Sequence, residues 1–133
     1  MTESSASSVK RERRKSLFLQ EIIAIIRDLA EQEPVIADIY VSNVDISPNS
    51  GICYVYFSSF KEPGQEVFLK ALDVLKLYKT SLRKNFVQRV NMRYGPELVF
   101  LFDAAKERER IVNDLLNKIH DELPPVDDTG NDE

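Results

Sequence analysis

Two short runs rich in β-branched and aromatic residues, Ile39 to Ile46 and Ile52 to Phe57, are separated only by Ser47-Pro48-Asn49-Ser50-Gly51. A loop this short that contains glycine turns the chain back on itself, so the two runs predict an antiparallel hairpin. Whatever else the chain forms has to be arranged around that pair.

Helical patterns flank it. From about Arg11, Phe18, Ile22, Ile25 and Leu29 recur at helical spacing, and Leu19, Ile23 and Ile26 widen the stripe into a broad buried face. Pro34 ends this helix, because it has no amide proton and pushes Glu33 out of the helical region. After Pro63-Gly64 a second pattern places Phe68, Leu72 and Leu75 toward the core, with Leu77 as a further candidate, and resumes through Leu82, Phe86, Val87 and Val90. Thr80-Ser81 are weak helix formers in its middle and predict a kink or break there. Gly95-Pro96 stops the run, and Leu98 to Phe102 is a continuous apolar segment whose length, aromatic content and flanking Gly-Pro assign it as a strand. Asp103 is placed to cap a last helix carrying Ile111, Val112, Leu115, Leu116 and Ile119, which Pro124-Pro125 ends.

The order is therefore α-β-β-α-(kink)-α-β-α, without internal repeat. The long helical stretch before the third strand lets that strand cross over the sheet and return, giving an α+β domain: a three-stranded sheet with helices packed on one face. At 133 residues and 43% hydrophobic, the chain suits a single domain with frayed ends. Residues 1–9 are expected as a disordered tail, 10–122 as the folded domain, and 123–133 as an acidic disordered tail. The one cysteine, Cys53, has no internal disulfide partner and sits in an apolar strand, where an inert buried thiol is expected. No apolar run approaches the roughly 18 residues of a membrane span, and the expected setting is cytoplasmic.

Charge is distributed unevenly. The formal net charge is -4, yet residues 74 to 96 carry six basic side chains and no acid. Residues 1 to 120 hold all 18 basic side chains against 16 acidic ones, so the acidity resides in the C-terminal tail. Patches farther apart than a Debye length, about 8 Å at physiological salt, do not cancel at a contact surface. The inversion of sign points to a polyanion. On a continuous helix Lys76, Lys79 and Arg83 share one face and Arg89 and Arg93 another, with the apolar residues between them facing the sheet. A second cluster, Lys10, Arg11, Arg13, Arg14 and Lys15, surrounds Glu12. The bland alternative is a solvated helix face whose acidic partners come from elsewhere in the fold.

Several stretches together resemble the ribosome-binding factor A family. They are Leu82-Arg83, the basic residues leading to Met92-Arg93, and Pro96-Glu97-Leu98 with Phe100 and Asp103, in register without gaps. Further matches are Lys10 and Arg13 before Gln20-Glu21-Ile22, Glu33-Pro34 where the family usually has Asp-Pro, and Val44-Asp45-Ile46-Ser47 before the hairpin turn. The resemblance covers about residues 10 to 119. It implies a type II K-homology-like fold that binds the free or immature 30S ribosomal subunit through its 16S rRNA, assists late rRNA processing, often in connection with growth in the cold, and leaves the mature particle. It also implies a monomer without cofactor or metal, with ribosomal proteins as further partners. One departure stands out: Tyr78-Lys79-Thr80 occupies the register of the family's Ala-x-Gly kink, and a milder kink is expected without the glycine. The Gly-x-x-Gly loop by which ordinary K-homology domains clamp RNA is also missing, as in the family generally, so RNA contact is assigned to charge and shape.

The residues expected to meet RNA are therefore Lys76, Lys79, Arg83, Lys84, Arg89 and Arg93, with Lys10, Arg11, Arg13, Arg14 and Lys15. Tyr54 and Tyr56 project from one strand face and would stack on bases if that face lacked helices, with plain packing as the alternative. Catalysis has little support. His120 reads as a surface residue, the four glycines are scattered, and Glu97 and Asp103 lie too far apart along a strand for paired acid–base work. The main rival is a protein-interaction module recognising an acidic or apolar partner without direct RNA contact.

Overall fold

The computed structural model describes residues 2–122. The expected disordered tail at 123–133 and the helix stop at Pro124-Pro125 lie outside them. Within residues 1–103, one compact unit, the elements run α1 (Thr2–Gln32), a 3-10 turn (Pro34–Asp38), β1 (Ile39–Ile46), β2 (Ile52–Ser59), α2 (Gly64–Leu77), α3 (Lys79–Val90) and β3 (Glu97–Phe102). Helix α4 (Ala104–Glu122) belongs to a second unit, in which Ile111, Val112, Leu115, Leu116 and Ile119 form an exposed apolar stripe. Helix α1 starts at Thr2 and so takes in most of the 1–9 stretch expected as a tail; from Val9 on, its first buried residue is Phe18.

The hairpin forms as its loop dictates. β1 pairs antiparallel with β2, and β3 pairs parallel with β2 from Ile52↔Glu97 to Phe57↔Phe102, in the order β1-β2-β3. A register shift between Val41 and Asn43 leaves Ser42 as an extra residue. Because side chains alternate with period two, one inserted residue exchanges the faces. Ile39 and Val41 lie against the core before the bulge, and Val44 and Ile46 after it. The mixed spacing of apolar residues in β1 is thereby reconciled with one buried face. Val44, Ile46, Cys53, Val55, Phe57, Leu98 and Phe100 make up that face, while Tyr54, Tyr56 and Val99 are half-buried on the other.

Helix α2 lies on the sheet, with Phe68 against both Phe57 and Phe102 at ring separations of 5.9 and 5.8 Å. Leu77 does not join it and is 82% exposed, because the helix ends there and the residue falls off the buried stripe. Helix α3 packs chiefly on α1 rather than on the sheet, which corrects the expectation for its apolar side. Phe86 meets Phe18 edge-on with centroids 4.9 Å apart, both fully buried. Cys53 is inaccessible, and burial, followed by the nearby charge of Asp45, pushes its thiol up to about 12.

Phe86→Ala should destabilise the protein by about 3–5 kcal/mol, the usual range for deleting a buried aromatic ring. Chemical denaturation followed by circular dichroism checks this. A loss below about 1 kcal/mol would mean that the α1–α3 contact is not part of the cooperative core.

Candidate nucleic-acid interface

The break between α2 and α3 is confined to Tyr78, at φ −95° and ψ 4°. Backbone bonds continue across it, from the Tyr78 amide to the Val74 carbonyl at 3.2 Å and from the Leu82 amide to the Tyr78 carbonyl at 2.8 Å. A residue in this bridge region needs no glycine. The Tyr78 hydroxyl donates to Glu33 Oε2 at 2.6 Å, tying the kink to the end of α1. That hydrogen bond, with burial and the carboxylate charge behind it, raises the phenol above its ordinary value, so it remains a donor at working pH.

Beyond the kink the cations separate by role. Lys79 Nζ lies 3.4 Å from Glu97 Oε2, and Arg89 Nε lies 3.0 Å from Glu21 Oε1. Acidic partners thus do come from elsewhere in the fold for two of the six bases. Arg83 uses Nε and Nη2 to grip the carbonyls of Pro96 and Gly95, at 3.1 and 2.7 Å. Carbonyl dipoles hold its guanidinium without neutralising it. Lys76 and Lys84 are exposed, and among the described residues neither makes an ion pair or hydrogen bond. Arg89 and Arg93 do not share a helix face. Asn91 takes the left-handed conformation, φ 57°, and with the Met92 amide bonded to the Val87 carbonyl it ends the helix two residues before Arg93.

That termination builds a groove. The 91–95 loop returns along α3, and Gly95 approaches so closely that a Cβ there would collide with Val87 Cγ2. Thr80, Arg83, Lys84, Val87, Gln88, Arg93, Tyr94 and Gly95 line the resulting depression of about 450 Å³. Tyr94 is 80% exposed, and the Arg93 guanidinium lies 5.8 Å from its ring centre. Sequence reading passed over Tyr94; the available signal was a lone aromatic inside a basic loop.

The second cluster meets the first at the hairpin turn. Arg11 donates to the Ile46 carbonyl and Arg14 to Ser50 Oγ, both at 2.6 Å. From the same turn the Gly51 carbonyl accepts the Glu97 amide, and Glu97 carries Lys79. Lys10 and Arg13 are exposed, Lys15 is half-buried, and none of the three has a partner among the described residues. At the far end of β3, Asp103 accepts from Ser42 Oγ at 2.6 Å, so Glu97 and Asp103 serve opposite ends of one strand. No group of His, Cys, Asp and Glu among the described residues could hold a metal, and none of their helices is long and apolar enough to cross a membrane. His120 is exposed on α4.

Residues 10–116 match the family model described as Ribosome-binding factor A. A protein of that name from Prochlorococcus marinus is 28% identical over 117 residues, spanning 84% of this chain and 87% of its own. Another from Desulfitobacterium hafniense is 30% identical over 103 residues, spanning 77% and 80%. The crystal structure of ribosome-binding factor A from Thermus thermophilus has the same fold, with a TM-score of 0.58 at 24% identity over 68% of this chain and 93% of that one. Coordinates of the Thermus thermophilus factor fitted into a cryo-electron-microscopy map of a 30S complex align with a TM-score of 0.51 at 26% identity, covering 71% and 92%.

Gly95→Ala should cost about 1–3 kcal/mol, the usual range for forcing extra volume into a packed contact. Adding Val87→Ala should restore part of that loss. Denaturation of the single and double variants checks this, and strict additivity would show that the loop does not depend on the close approach.

Proposed function

Because the chain belongs to the ribosome-binding factor A family, we propose that it binds the immature 30S subunit through 16S rRNA in the cytoplasm and assists late rRNA maturation without catalysing a step. The observation that carries this reading is the groove between α3 and the 91–95 loop, where Arg83, Lys84 and Arg93 bring three positive charges without a neutralising carboxylate among the described residues. Like charges brought this close repel one another, and a phosphate backbone relieves the repulsion while releasing its own counterions.

The paired cations extend the surface. Lys79–Glu97 is an exposed pair, with side chains 40% and 60% accessible, and such pairs contribute roughly 0–1 kcal/mol. A phosphate therefore displaces the carboxylate at little cost. Arg11 and Arg14, spent on the hairpin turn, orient the helix from which Lys10 and Arg13 reach solvent. A factor built this way supplies binding energy alone: it holds a flexible RNA segment in one arrangement until folding is complete, acts as a monomer, and leaves when that segment is buried.

A second reading, docking to a ribosomal protein, is favoured by one feature. An apolar groove between α1 and β1 is bordered by Ile23, Ala30, Tyr40 and Phe60, the last 70% exposed.

Cosedimentation with immature 30S particles separates the two. Lys84→Glu with Arg93→Glu should weaken binding about tenfold or more and flatten its salt dependence, which falls with slope about −0.7 to −0.9 per phosphate contacted, while the unfolding midpoint stays unchanged. Arg83 and Lys79 are unsuitable for this purpose because the first holds the loop and the second is paired. Unchanged binding by the double variant would remove the RNA reading, and loss on Phe60→Asp alone would favour the protein partner.

A further inference from the structure

The five tyrosines of this chain are not equivalent. Tyr40 stacks on Phe60 at 4.6 Å, Tyr78 is bonded to Glu33, and Tyr54 and Tyr56 are half-buried in the sheet. Tyr94 alone presents most of its ring to solvent, at 80% exposure, and it does so inside the basic groove. Its only ring contact among the described residues is the Arg93 guanidinium, 5.8 Å from the centroid. The cation lies over one face of the ring, and at this exposure the other face stays open to a stacked base.

We infer that this groove is a subsite for unpaired RNA, in which a base stacks on Tyr94 and the adjoining phosphates lie against Arg83 and Lys84. The inference rests on the RNA-binding reading above and sharpens it by naming the form of RNA. A duplex keeps its base faces inside the stack and presents phosphates, 2′-hydroxyls and base edges; only an unpaired base has a face to lay on a ring. The volume of about 450 Å³ suits a small ligand or a short piece of one, within the roughly 300–1,000 Å³ of such sites. Selectivity for base identity is not built in, because every base has a π-face and the groove's polar side chains, Thr80 and Gln88, are few.

The loop is held in position to serve this role. Asn91 in its left-handed conformation turns the chain out of α3, Gly95 seats it against Val87, and Arg83 clamps the Gly95 and Pro96 carbonyls. Arg83 is thus both a phosphate-facing charge and the positioning residue for the ring.

The chain contains no tryptophan, so its intrinsic fluorescence comes from tyrosine and reports stacking directly. Titration of the full chain with a short oligoadenylate at low salt should quench that fluorescence. Tyr94→Ala should abolish the quench and weaken binding of the single strand by at least about fivefold, as expected for loss of one stacked base. Tyr94→Phe should retain both, and affinity for a duplex RNA of equal length should be the same for all three proteins. Equal affinity of wild type and Tyr94→Ala for the single strand, no binding of the oligonucleotide by wild type, or a matching loss on the duplex would each overturn the inference. Cosedimentation of the wild type with immature 30S particles distinguishes the two levels: if it binds while Tyr94→Ala is indistinguishable on oligonucleotides, the stacking subsite is wrong and the ribosomal role stands. If the wild type does not bind, the ribosomal role itself fails.

Discussion

The parallel pairing of β3 with β2 governs the rest of the molecule. Two parallel neighbours cannot be joined by a turn; the chain must travel back along the sheet before the second begins. Here α2 and α3 make that journey: α2 lies on the face that carries Cys53, Val55, Phe57, Leu98 and Phe100, the apolar one, and α3 packs chiefly on α1. The crossover brings Lys79 and Arg83 to the start of the strand it leads into, where they meet Glu97 and the Gly95 and Pro96 carbonyls. Register then does the fine positioning. With Glu97 opposite Ile52, the start of β3 sits beside the hairpin turn, where Arg11 and Arg14 also arrive.

Within that frame the positive charges divide between holding the fold and remaining available. Arg83 secures the chain as it enters β3, Arg89 ties α3 to α1 through Glu21, and Arg11 and Arg14 fasten α1 to the turn. Lys84 and Arg93 stay open at the groove, and Lys76, Lys10 and Arg13 stay open elsewhere. A basic cluster on one helix is thus not one site. Its members differ in what their removal would do to stability as opposed to binding, because a buried or bifurcated contact is costly to break and a solvated charge is not.

Much of the architecture was legible in local rules. The hairpin followed from a short glycine-containing loop between two β-rich runs, and β3 from a brief apolar segment after Gly95-Pro96. Leu77 is the last residue of α2 and lies two positions after Leu75, about 200° round the helix, so helical spacing itself turns it away from the buried stripe. Arg93 was placed on a helix that Asn91 had already ended, since nothing in the spacing of bases signals a left-handed residue. The break falls at Tyr78, while Thr80-Ser81, the weak helix formers expected to mark it, lie inside α3; its tether has no local sign either. Tyr78 bonds to Glu33, a residue far away in the chain, and side-chain pairing at that distance leaves no local pattern.

The sequence by itself determined the element order, the buried stripe of α1, and the presence of a basic segment inside an acidic chain, because periodicity, turn chemistry and charge are properties of neighbours along the chain. The tertiary structure alone decided which cations are free, that the bulge at Ser42 exchanges the faces of β1, and that Tyr94 stands open in a groove among positive charges. Those outcomes depend on which distant residues come to lie within hydrogen-bonding distance once the parallel crossover closes, and distance in space is not written in spacing along the chain.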